Sequence, residues 1–323
     1  MPVGFWFMCL SVFCSAFGPI LVRESPLGAS ATAFWRLAFM ILPTLLLARQ
    51  TSPKTDGRKR WLAPMPPGDI ALSLLAGALY AADLVLWNGA VLRTTVMEAS
   101  VLVMLYPLLV ALIGVWVLRQ QAGWRLWLGC ATCFTGIVVM SLHRGLPSGT
   151  VGNSESTGNL MAISAAFFYA GSFLITAHLS RRHASLTVTF WQGLGAALGA
   201  LPLGLAENRF LPVDLHGWLY MLGYSALTLA AMLALVRSLK TLSAALAAIL
   251  AYGLPLLASL FAAVLFHELP TTGSVIGGGV IIFGLALATR DKPQPAKPQI
   301  AAIAQRTAGE PSMGSSPKTV TGL

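Results

Sequence analysis

The chain has 323 residues, of which 56% are apolar and 10% charged. A soluble protein carries about 25% charged residues, so this chain could not cover a water-facing surface, and the class that remains is a polytopic membrane protein. The net charge of +10 sits in short loops and a tail. That placement excludes a nucleic-acid partner, which would need a basic stripe interleaved with aromatics, and fits orientation in a bilayer.

A membrane span needs about 20 apolar residues. Ten stretches qualify, at 3–22, 30–48, 69–89, 95–117, 124–142, 158–178, 186–205, 214–236, 242–266 and 272–289. Ala29-Ser30-Ala31 after the first resembles a leader cleavage site. The basic leader region is missing and the apolar run is too long, so the stretch is expected to remain as a helix. With the N-terminus inside, the inner segments hold sixteen Lys and Arg and the outer ones four, Arg23, Arg93, Arg144 and Arg209. This bias places both termini in the cytoplasm.

Residues 94–141 lie on 242–289 when shifted by 148. Pro107 falls on Pro255, Gly129 on Gly277 and Gly136 on Gly284, with Ala99, Leu102, Leu108, Leu109 and Leu112 also recurring. Proline and glycine disturb helices, so their shared register is the informative part. Each half has five spans, an odd number, so the second half enters the membrane from the opposite side. The predicted fold is an all-α membrane protein of ten transmembrane helices, arranged as two inverted five-helix repeats. The repeats are expected at 1–144 and 158–290, joined by a loop at 145–157 and followed by a disordered cytoplasmic tail at 291–323.

No HExxH, GxSxG or P-loop occurs, and Gly277-Gly278-Gly279 follows no strand. An enzyme is not expected, nor is a cofactor. Cys130 and Cys133 have a metal-like spacing but no second pair, so they read as small packing residues and no metal is expected. Pro107 and Pro255 sit in mid-span, where each deprives a carbonyl, that of Val103 or Ala251, of its donor. In hydrocarbon such a group must meet protein or a watery cavity. They are expected to mark helix kinks at the repeat interface.

Arg36, Asp83 and Glu98 are ionisable residues within spans. All three lie roughly 6–10 Å below the outer interface at 1.5 Å per residue. The shared depth allows Arg36 to pair with Asp83 or Glu98, since burying any of them alone costs several kcal/mol. Tyr80, Asp83 and Trp87 share one helix face, with Asn88 beside them near the outer end. Tyr224 and Thr228 take the corresponding face of span eight, where Ala231 replaces the acid. Trp6, Phe13 and Phe17 share a face of span one. Phe17, Tyr106, Tyr169 and Tyr252 complete the expected substrate pathway.

These residues resemble the drug/metabolite transporter superfamily, and within it the EamA-type ten-helix transporters. The resemblance rests on Phe34-Trp35-Arg36, on Ala90 through Thr95, and on the two Pro…Gly…Gly frames, and it runs to about Ala288. It implies an inner-membrane carrier of small metabolites working by alternating access. The family often has an acidic residue at the end of the proline-containing helix, which Glu268 matches and Gln120 does not.

Phosphorylated substrates usually need Lys or Arg at the site, and only Arg36 is deep in a span. An amino acid or a related zwitterion or cation suits Asp83 with aromatic walls. Export is the expected direction, and protons are the expected coupling partner through Asp83. The expected partners are thus a small-molecule substrate, protons and the lipid bilayer. The alternatives are an uptake carrier for a nucleotide-derived or vitamin-like metabolite, and a lipid flippase of the same fold.

Overall fold

The computed structural model describes residues 3–51, 54–55, 58–59, 61–91, 93, 102–116, 123–142, 153–254, 257, 260–261 and 272–290. Their order is α1 (Val3–Ser15), α2 (Gly18–Arg23), α3 (Ala29–Thr51), α4 (Pro67–Val91), α5 (Tyr106–Trp116) and α6 (Trp124–Leu142). The second half holds α7 (Asn153–Ser180), α8 (Ser185–Leu205), α9 (Leu215–Ser238), α10 (Ala244–Leu250) and α11 (Thr272–Thr289). Between α3 and α4, β1 (Lys54–Thr55) and β2 (Arg58–Lys59) pair as a two-residue antiparallel ladder. The remaining described secondary structure is helical.

Six of these segments are long and apolar enough to cross a membrane, with α1 and α2 counted as one; α6 and α11 contain shorter apolar runs. Leu160 and Phe283 are both 65% exposed, as expected of a surface that a bilayer covers. Local chemistry sets several ends. Asp214 caps α9 by accepting from Gly217 N at 2.8 Å, and Ser243 caps α10 by accepting from Leu246 N at 3.2 Å. Such caps satisfy donors that a helix start leaves orphaned.

The two halves exchange places in the packing. If α1 with α2 answers to α7, α3 to α8, α4 to α9, α5 to α10 and α6 to α11, every major contact has its image. The α1–α9 contact answers the α4–α7 contact, and α3–α9 answers α4–α8. The pairs α3–α8, α5–α10 and α6–α11 are their own images.

The α6–α11 crossing fixes the sense of the axis. A Cβ on Gly136 would lie 2.8 Å from Gly277 O, and one on Gly284 would lie 2.9 Å from Gly129 O. Position therefore rises along α6 as it falls along α11, and the crossing is antiparallel. A helix can meet its own repeat partner antiparallel only about an axis perpendicular to both, so the repeat is inverted. Small residues are what let the two backbones approach this closely.

Spans four and nine, expected to kink at their prolines, are interrupted by turns. A turn at Met104-Leu105 precedes α5, so Pro107 sits in the first turn of a new helix rather than in mid-helix. There its missing N–H removes no helical bond. In the second half α10 ends at Leu250, and the Ala251 carbonyl accepts from Leu254 N at 2.9 Å. The donor that Pro255 withholds from Ala251 is thus replaced by a tighter local turn. Pro255 itself lies outside the described residues.

Candidate functional site

Where the halves meet, one cation is buried among the described residues. Arg36 on α3 is 6% exposed. Its helix is held in rotation by the preceding residues: Trp35 Nε1 donates to Phe210 O at 2.7 Å, and the rings of Phe34 and Trp35 pack on Phe210. Arg36 is thereby turned into the bundle. One terminal nitrogen, Nη1, donates to the Tyr224 hydroxyl on α9. The other, Nη2, donates to the Tyr80 hydroxyl on α4 at 3.5 Å. The guanidinium also lies 5.0 Å from the centre of the Tyr224 ring. Its Nε is buried without a hydrogen-bond partner.

Asp83, one turn beyond Tyr80 on α4, is equally buried. It lies within Coulombic reach of Arg36, Tyr80, Tyr106 and Tyr169. Of the two pairings that the shared depth allows Arg36, the one with Asp83 is not made within 4.0 Å, and Glu98 lies outside the described residues. Among the described residues the one contact within 4.0 Å between an acidic and a basic side chain is the Asp69–His183 hydrogen bond, at 2.6 Å. Tyrosines occupy the guanidinium's terminal nitrogens instead, and one of them comes from the other half of the chain.

The aromatic wall continues from there. Tyr80 and Tyr169 have ring centres 6.0 Å apart, and Tyr169 meets Tyr106 edge to face at 4.5 Å. Arg36, Tyr80, Asp83, Tyr106, Tyr169 and Tyr224 are therefore brought together, from five helices and both halves.

Other expected residues stand apart. Asn88 donates to Ala29 O at 2.8 Å and ties α4 to the start of α3. Trp87 is half-buried, with its Nε1 enclosed and unpartnered. Tyr252 is fully buried against Cys130, its hydroxyl 3.8 Å from the thiol. Phe17 stacks on Phe261 at 4.3 Å. Its neighbour Gly18 approaches the Tyr224 hydroxyl, where an added Cβ would lie 3.9 Å away. Trp6 and Phe13 are exposed. Thr228 is buried and returns its hydroxyl to Tyr224 O at 2.9 Å. Glu98, Gln120 and Glu268 lie outside the described residues.

Sequence reasoning missed Gln192 on α8. It is buried, donates to Ser172 Oγ at 3.3 Å, and leaves its own Oε1 unpartnered. Ser172 in turn donates to Ala76 O at 2.7 Å. Thr189 on α8 and Ser225 on α9 also have enclosed, unpartnered hydroxyls. A signal was available: Phe34-Trp35-Arg36 recurs as Phe190-Trp191-Gln192, 156 residues later. The two Phe–Trp pairs even share a geometry, with ring centres 5.1 and 5.2 Å apart. Gln192 is thus the uncharged counterpart of Arg36.

An open cavity of about 300 Å³ lies elsewhere, at the bundle end that carries Arg237 and Lys240. The buried polar cluster is the better candidate for substrate chemistry despite its closure. An enclosed polar atom without a partner is costly, and here the Arg36 Nε is one, in a cluster that also buries the Asp83 carboxylate.

A family model described as the EamA-like transporter family matches residues 2–142 and 156–290. No curated protein matches the chain. A solved structure, described simply as the crystal structure of a protein, superposes with a TM-score of 0.72 at 18% identity. The match covers 88% of this chain and 96% of that one. At that identity the likeness concerns the fold.

Proposed function

Since the chain belongs to the EamA-like transporter family, we propose that it carries a small zwitterion of the amino-acid type, bound between Arg36 and Asp83. The observation that carries this reading is the buried, unpartnered Nε of Arg36, near a buried carboxylate that makes no direct ion pair with it. A substrate acid group docks on the guanidinium, where a charge-assisted hydrogen bond is worth about 1.5–3 kcal/mol. The substrate amine docks towards Asp83, with Tyr80, Tyr106 and Tyr169 as its aromatic wall.

Alternating access follows from the two-fold relation, since the site is built from both halves. The closed cluster corresponds to an occluded stage, opened by rocking one repeat against the other. With the basic end in the cytoplasm, both termini lie inside an inner membrane. Export is the direction assigned here, and Asp83 takes up a proton when its substrate leaves.

The test is counterflow of radiolabelled amino acids in proteoliposomes, run beside a lipid-scrambling assay. Saturable counterflow of at least one amino acid, without scrambling, is expected. Scrambling without amino-acid counterflow would instead make the protein a flippase.

A further inference from the structure

The starts of α3 and α8 are repeat counterparts, related by the same shift of 156 that places Phe34-Trp35 on Phe190-Trp191. The α3 start is closed by the chain itself. Glu207 accepts from Ser30 N at 2.9 Å and from Ala31 N at 3.0 Å. The equivalent donors on α8 are Leu186 N and Thr187 N, and α8 has no side-chain cap. The residue equivalent to Glu207 is Thr51, which supplies no carboxylate.

In its place is a cavity of about 300 Å³, lined by Thr51, Ser185, Leu186, Thr187, Arg237 and Lys240, with no acidic side chain among the described residues of its wall. Thr187 is 1% exposed and lines this cavity, yet its hydroxyl has no partner among the described residues.

We propose that the α8 start is a phosphate-binding site, distinct from the Arg36 cluster, in which an external oxyanion takes the position that Glu207 fills on α3. The donors are the Leu186 and Thr187 amides, the Thr187 hydroxyl and the two cations. A helix start carries roughly half a positive charge and orients its N–H groups towards an anion. A carboxylate suffices at α3. The two added cations at α8 select a more highly charged group, and a phosphate accepts from more donors at once. The phosphate comes from an anionic lipid headgroup at the membrane surface or from a soluble phosphate compound.

The test uses the purified full chain and thermal unfolding, which is independent of transport. In neutral detergent, inorganic phosphate should raise the unfolding midpoint above that in chloride of equal ionic strength. Lys240→Gln, a change at an exposed residue, should weaken the apparent phosphate affinity about tenfold, the equivalent of one lost charged contact. Thr51→Glu should supply the missing carboxylate, raising the midpoint without phosphate and abolishing the response to it. The source is read in nanodiscs of phosphatidylcholine with and without phosphatidylglycerol. Stabilisation by phosphatidylglycerol that phosphate no longer increases assigns the site to a headgroup; continued stabilisation by phosphate assigns it to a soluble ligand. The proposal is overturned if neither phosphate nor phosphatidylglycerol stabilises the wild type beyond the chloride and phosphatidylcholine controls. It is also overturned if folded Lys240→Gln and Thr51→Glu respond to phosphate as the wild type does.

Discussion

Cys133 on α6 donates its thiol to the carbonyl of Ile281 on α11 at 3.6 Å, and the two residues are 148 positions apart. That separation is the repeat shift itself, so each residue is touching its own counterpart. The pseudo-two-fold axis passes between them. Gly129 facing Gly284 and Gly136 facing Gly277 are the flanking pairs, and each is the image of the other.

This symmetry has a measurable consequence. Gly136→Leu and Gly284→Leu insert side chains at equivalent points of one closed crossing, and overpacking of this kind costs about 1–3 kcal/mol. Thermal unfolding in detergent should show similar losses for the two. Gly279→Leu, at a position with nothing within 4 Å of an added Cβ, should leave the midpoint unchanged. A loss confined to one of the two crossing glycines would break the equivalence.

Tyr224→Phe removes one hydrogen bond from the Arg36 guanidinium and leaves the ring beneath it. The loss is about 1.5–3 kcal/mol at the site. Counterflow should show an apparent substrate affinity changed by about tenfold or more, with the protein still folded. Tyr252→Phe, in the packed core beside Cys130, should leave that affinity as it was.

Asp83→Asn keeps the shape and removes the charge. Transport should be lost, or should continue without its dependence on a proton gradient. Counterflow and gradient-driven uptake, measured on the same proteoliposomes, separate these two results. Wild-type rates and wild-type pH dependence in this variant would take Asp83 out of the mechanism.

Glu207→Ala uncaps α3 from the opposite half of the chain. Loss of a capping acceptor costs about 1 kcal/mol, so the unfolding midpoint should fall. Glu207→Gln keeps one neutral acceptor and should recover part of the loss.

Much of the fold was legible because hydropathy and glycine register report what lipid and close helix contact demand. The ends of α6 and α11 coincide with the apolar runs 124–142 and 272–289. The prolines mark where spans four and nine depart from regular helix, but the turns at Met104-Leu105 and Ala251-Tyr252 were not legible, since the apolar run continues through both.

The site was legible by depth but not by direction. Arg36 and Asp83 share a level, but only the three-dimensional packing of α9 places Tyr224 on the guanidinium. Gln192 escaped because the repeat shift is not constant: the α3–α4 connection, 52–66, is longer than the α8–α9 connection, 206–214. A search at 148 therefore slides past the Phe-Trp match at 156.

The central claim is that Arg36 receives the acid group of a zwitterion. Its most direct test compares an amino acid with its decarboxylated amine as competitors of counterflow, in the wild type and in Arg36→Gln. The wild type should favour the amino acid, and Arg36→Gln should lose about tenfold or more of that preference. An unchanged preference in a folded Arg36→Gln protein would contradict the account.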